Sequence, residues 1–392
     1  MVSLLARLFI KDKENTSSPT VRQAYGILCG SVGIALNVLL FAGKFLAGLL
    51  SRSIAVTADA FNNLSDAGSS LITLVGFKMA GQKPDPHHPF GHGRIEYLSG
   101  LLVSVAILIM AFELVRSSVG KILHPQPVDF SLLTTGILLA SIAVKIYMAY
   151  YNGTIARKID SSAMKATATD SLSDTLATTV VLISMFIGHF TGLQIDGYCG
   201  VLVGCFIFYA GFDAARDTIS PLLGQPPNPD FVKNVERIVM SYEPVLGIHD
   251  MVVHDYGPGR VMLSLHAEVP ADGSLILLHD MIDNIEHRLH DELHCDAVIH
   301  MDPVVTDDAR TNHIRQKVTE LLENTYPEIC FHDFRVVEGP THTNIIFDIV
   351  VPFDYKNTDE EITDFLKKEI RRMDDSYFAV IQVDKAYASN AL

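Results

Sequence analysis

Apolar residues crowd into the first 215 positions of the chain, in long runs broken by short polar turns. Six windows there approach the roughly 20 residues a membrane-spanning helix needs. They run at about 26–50, 54–80, 95–118, 131–156, 163–191 and 195–213. Turns such as Ser51-Arg52-Ser53 make neighbouring helices antiparallel. After Pro221 the pattern changes, and GQPPNPD reads as a linker. Helical and alternating segments then mix: VKNVERIVMSY as a helix, RVMLSLHAEV as a strand, LHDMIDNIEHRLHDEL as a helix and AVIHMD as a strand. That order predicts a small soluble domain with helices over one sheet.

The soluble half repeats itself about 82 residues on. GIHDMVVHDYGP at 247–258 matches CFHDFRVVEGP at 330–340, LHAEVP at 265–270 matches FDIVVP at 347–352, and AVIHMD at 297–302 matches AVIQVD at 379–384. The domains expected are therefore an N-terminal segment 1–22, a six-helix membrane domain 23–220, a first soluble copy 226–304 and a second copy 308–388. The copies differ chemically. His266 is answered by Asp348 and His300 by Gln382, and the helix carrying His279, His287, His290 and His294 is answered by one without His. Imidazole is the commonest metal ligand among side chains, so copy one reads as a metal binder and copy two as a degenerate relative.

Composition sharpens this picture. The chain of 392 residues is 48% hydrophobic and 19% charged with a net charge of −15, which excludes disorder, a coiled coil and nucleic-acid binding. Five cysteines without a C-x-x-C indicate neither a disulfide framework nor a thiolate zinc site. The polar N-terminal segment and the lack of a small-residue cleavage site argue against a removed signal peptide. Lys and Arg favour the N-terminal segment and the loops after the second and fourth windows, which places both termini in the cytoplasm.

Polar residues inside the apolar windows carry the chemistry. Asn62 and Asp66 stand four apart in the second window, and Asp170 and Asp174 repeat that spacing in the fifth. Each pair shares a helix face. Carboxylates at membrane depth are costly and face a cavity or an ion path. Together the four residues form a hard-oxygen cage suited to manganese, magnesium or calcium rather than zinc. Protons compete for the same oxygens, so one gradient can drive the other. Lys44 and Lys145, in the first and fourth windows, read as side chains that snorkel to the interface. No nucleophile elbow, P-loop or HExxH appears, so an enzyme is not expected.

The double pair, the loop HHPFGHGRIEYLSG at 87–100 and the strand ending HMDP at 300–303 together resemble the cation diffusion facilitator family, from residue 22 to about 304. The resemblance implies a homodimer in the membrane lipid that exports divalent metal in exchange for protons, with a ferredoxin-like cytoplasmic domain that binds metal and tightens the dimer. The metal is cargo and regulator; no prosthetic group is implied. The all-oxygen set resembles the manganese-exporting branch, with zinc or ferrous iron export as the alternative and a membrane-anchored metal sensor as a remote one. The implied location is a bacterial plasma membrane. Carried over, the transport site is Asn62, Asp66, Asp170 and Asp174, a loop site is Asp85, His88 and His92, and the cytoplasmic site is His249, His266, His279, His300 and Asp302. The family's dimer-locking cation matches Arg94, but Gly224 stands at the acid position, so Asp213 or Asp217 would have to substitute and that pairing is not expected. The extra C-terminal copy lies outside the family pattern.

Overall fold

The computed structural model describes residues 2–16, 18–51, 54–124, 132–191, 193 and 195–385. Residues 386–388 of the expected second copy, Arg52 and Ser53 fall outside these. The chain forms two compact units: residues 1–225 with 255–260, and 226–254 with 261–392.

The first unit is helical. A short α1 (Val2–Phe9) precedes α2 (Pro19–Ser51), α3 (Ile54–Ala80), α4 (Ile95–Leu123), α5 (Leu132–Ile159), α6 (Ser162–Thr191) and α7 (Asp196–Leu223). These long helices coincide with the six apolar windows. By length and apolarity, however, only Thr20–Leu46, Ile95–Leu123, Ser162–Thr191 and Gly197–Leu223 qualify as spans among the described residues. Of the six expected spans, α3 and α5 do not meet this measure within the described residues. Both turn polar side chains inward: Asn63, Asp66, Ser70 and Thr73 on α3, and Ser141, Lys145 and Asn152 on α5 are all buried. The spacing of that set on α3 is a single helix face. Small residues let the helices approach closely. A side chain at Gly30 would put its Cβ 2.8 Å from Leu74 Cβ, and one at Gly100 would lie 2.9 Å from Ala163 Cα.

The second unit holds two α+β copies. Copy one runs α8 (Pro229–Val239), β1 (Gly247–Asp255), β2 (Val261–Pro270), α9 (Leu275–Leu293) and β3 (Cys295–Val304). Copy two runs α10 (Ala309–Thr325), β4 (Cys330–Glu338), β5 (Thr343–Val351), α11 (Asp359–Met373) and β6 (Tyr377–Lys385). Each sheet has three strands in sequence order. A ferredoxin-like domain follows the order βαββαβ, so the first strand is missing from both copies, and the ferredoxin-like expectation is corrected to αββαβ. The last two strands of each copy pair in parallel, His266 opposite His300 and Asp348 opposite Gln382.

Local chemistry explains the elements. Asn228 caps α8 ahead of Pro229, Asp308 caps α10, and Thr358 with Glu361 forms a capping box on α11. Alternation along β2 and β5 buries Leu263, Leu265 and Ala267 in one copy and Ile345, Phe347 and Ile349 in the other. Each copy closes its own core, around Ile285 and Leu289 in the first and around Leu366 and Ile370 in the second.

Candidate metal sites

Within the helical unit, Asp66 on α3 and Asp170 and Asp174 on α6 interact with one another through charge. Asp66 and Asp170 are buried, and one Asp170 carboxylate oxygen has no hydrogen-bond partner. Lys145 of α5 enters this cluster. Its ammonium lies 2.7 Å from Asp66 Oδ2 and 2.6 Å from Asp174 Oδ2, with only 4% of its side chain exposed. The snorkelling reading of Lys145 is therefore overturned. Two carboxylates on different helices attract the ammonium more strongly than a distant interface does. Lys44 is buried as well, and its Nζ donates to Asn63 Oδ1 at 2.6 Å. Asn63 in turn faces Asp66 Oδ2 at 3.5 Å. The amide beside the carboxylates is thus that of Asn63, while Asn62 is exposed. Asn62 and Asn63 stand four and three residues before Asp66, so each flanks it from a different side of the helix, and spacing to Asp66 alone does not choose between them.

Asp85, His88 and His92 come together in the loop before α4. Asp85 lies 3.4 Å from His88 Nδ1 and 3.3 Å from His92 Nε2, and the two rings stand 4.6 Å apart. Backbone N–H groups of His88 and His87 donate to Asp85 Oδ1 at 2.7 and 2.9 Å and hold its carboxyl below the usual range. Gly91, at φ 86°, permits the tight turn. Nearby, the Arg94 guanidinium donates to the Asp255 carbonyl at 2.7 Å and stacks over Tyr256. Within the chain, Asp217 pairs with Lys165.

In copy one, His266 Nδ1 is 2.8 Å from Asp302 Oδ2, and His249 Nε2 is 3.2 Å from the same oxygen. His300 joins at the rim, 3.4 Å from Asp302 Oδ1 and largely exposed. His279 is exposed on α9 and is not part of the cluster. α9 buries Ile282, Ile285 and Leu289, and His279, three residues before Ile282, stands exposed at the edge of that face. A second cluster was not foreseen: ligand atoms of His249, Asp250 and His332 all lie within 4.8 Å of one another. His332 belongs to copy two. Burial works to lower His249, yet Asp250 and Asp302 outweigh it and hold its pKa above the ordinary value. Burial and the neighbouring His249 push His332 below it. The signal that pointed here was the dipeptide His-Asp, shared by GIHDM and CFHDF in the repeat.

Comparison with known proteins covers both units. Residues 31–223 match the cation efflux transmembrane domain, and residues 227–304 match the cytoplasmic domain of cation efflux proteins. An uncharacterised transporter of Methanocaldococcus jannaschii is 30% identical over 274 residues, 70% of this chain and 96% of the relative. The manganese efflux system protein MneS of Bacillus subtilis is 25% identical over 276 residues, 70% of this chain and 94% of the relative. The cation-efflux pump FieF of Shewanella oneidensis is 26% identical over 278 residues, 71% and 94% of the two chains. Both matched domains end at or before residue 304, ahead of copy two.

Proposed function

From the premise that the chain belongs to the cation efflux family, the cation diffusion facilitators, and is a divalent-cation efflux transporter rather than an enzyme, we propose that it exports manganese from the cytoplasm in exchange for protons. One observation carries the reading. The buried polar cluster of α3 and α6 offers carboxylate and amide oxygens and no imidazole. Hard oxygen donors suit manganese, whereas zinc outcompetes it wherever nitrogen is available. The manganese efflux relative in Bacillus subtilis supports the same choice.

In this reading Asp66, Asp170 and Asp174 bind the cargo, with Asn63 or Asn62 as the amide donor. Lys145 is a tethered cation. Its ammonium neutralises the cage when metal is absent and is displaced when metal enters. Empty and loaded states then carry similar charge, which keeps the return step from burying bare carboxylates. Protons on the same carboxylates complete the exchange. The protein works as a homodimer with six spans per chain, embedded in lipid, in a plasma membrane with both termini in the cytoplasm. Asp85, His88 and His92 form a loop site, and His249, His266, His300 and Asp302 form a cytoplasmic regulatory site.

The test is competitive flux of manganese and zinc in proteoliposomes with an imposed pH gradient. Manganese should leave faster, with proton movement in the opposite direction. Preferential zinc flux would overturn the manganese assignment in favour of the second reading, a zinc or ferrous iron exporter. The imidazole-rich copy-one cluster, which suits those metals, is the observation on its side.

A further inference from the structure

The repeat aligns His249-Asp250 of β1 with His332-Asp333 of β4. The correspondence extends to the backbone. Asp250 and Asp333 both adopt left-handed conformations, at φ 51° and 53°, a region that non-glycine residues enter rarely. In β4 the pairing register shifts at this point. Both copies thus aim the histidine of the pair in the same special way.

The two histidines meet. Their rings stack 4.1 Å apart with 24° between planes, and their side chains are only 6% and 9% exposed. None of their four ring nitrogens makes a hydrogen bond. Carboxylates surround them. Asp250 Oδ2 is 3.4 Å from His249 Nδ1, Asp250 Oδ1 is 3.7 Å from His332 Nε2, and Asp384 Oδ2 is 3.6 Å from His332 Nε2. That Asp384 oxygen is also buried without a hydrogen bond. Apolar packing does not explain polar atoms gathered from both copies, buried and unpartnered.

We propose that His249 and Asp250 of copy one and His332 of copy two, with Asp384 adjoining, bind a divalent first-row metal ion that fastens the two copies together. Two imidazoles with a carboxylate suit zinc or ferrous iron better than manganese. The geometry also assigns the nitrogens of His249. Nδ1 faces Asp250 and the new site, and Nε2 faces Asp302 at 3.2 Å. A histidine that ligates metal through one nitrogen characteristically gives its other N–H to a carboxylate. With metal at Nδ1, Asp302 would take that N–H from His249, which then supports the copy-one cluster through Asp302. The site adds to the proposed cytoplasmic cluster, shares His249 with it, and does not depend on which ion the membrane unit carries.

Hydrogen exchange on the full-length protein in detergent, with and without zinc, tests the proposal. Zinc should slow exchange in β4 (330–338) as well as in β1 (247–255). His332→Ala should abolish the effect in β4 while protection in β3 (295–304), which reports on His300 and Asp302, persists. Asp250→Asn, a substitution on the opposite copy, should reproduce the loss in β4. Metal-free exchange in β5 (343–351) serves as the folding control for both variants. The proposal is overturned if zinc leaves β4 unchanged in the wild type, or if β4 is protected equally in both variants. Failure of the copy-one cluster would show instead as unchanged β3 with protected β4.

Discussion

The carboxylate cluster of the helical unit and the histidine cluster of the soluble unit are both buried and polar, yet they are completed in opposite ways. In the helices, a fixed ammonium already lies between Asp66 and Asp174. Between the soluble copies, the rings of His249 and His332 have no hydrogen-bond partner. A site that must fill and empty in every cycle needs an empty state that is tolerable at membrane depth, and an internal cation supplies it. A site that holds metal for longer has no such need, because unsatisfied imidazoles favour occupancy. The same contrast separates the donors: exchangeable hard oxygens in one region, nitrogen in the other.

The comparison breaks first at the carboxylates. Alanine at Asp66, Asp170 or Asp174 should abolish metal-driven proton flux in proteoliposomes while the protein remains folded. Near-normal flux from Asp174→Ala would remove the cluster from the transport path. Lys145→Ala comes next. Removing one partner of a buried charge pair costs about 3–5 kcal/mol, so the metal-free variant should melt well below wild type, and added manganese should recover much of the loss. A metal-independent melting temperature would show that Lys145 is merely structural. A smaller effect is expected at His266→Ala: zinc affinity of the soluble half, measured by calorimetry on the full-length protein, should fall by at least the roughly 10–100-fold seen for residues that only support a ligand. Unchanged affinity would remove His266 from the metal site. The smallest effect separates two neighbouring amides. Asn63→Ala should lower manganese flux more than Asn62→Ala, because Asn63 touches both Asp66 and Lys44. The reverse order would return the amide role to Asn62.

Periodicity made the long helices legible: the window at 163–191 is α6 (Ser162–Thr191) within a residue. The loop residues Asp85, His88 and His92 also stand together, because a short turn leaves them little freedom to separate. What one sequence cannot reveal is which helix faces which. A lysine in an apolar run, such as Lys145, reads the same whether it reaches for an interface or for an aspartate on another helix. An i, i+4 and an i, i+3 spacing each bring an amide beside Asp66, so spacing does not separate Asn62 from Asn63. His332 is hidden for another reason: Asp348 and Gln382 read as a lost site, although copy two retains the His-Asp pair. The αββαβ order departs from the ferredoxin-like order that the resemblance implied, while the chain's own helix and strand patterning contains no strand before α8.

Only residues 305–308 separate β3 from α10. Partners joined by so short a tether meet at an effective concentration on the order of millimolar, whatever the amount of protein in the membrane. Pairing of the two copies is therefore insensitive to dilution, unlike the association of two separate chains. A cell that makes few molecules of this protein would still have every one of them with both halves of the soluble unit side by side, and its response to metal would track the ion's concentration rather than the protein's own abundance.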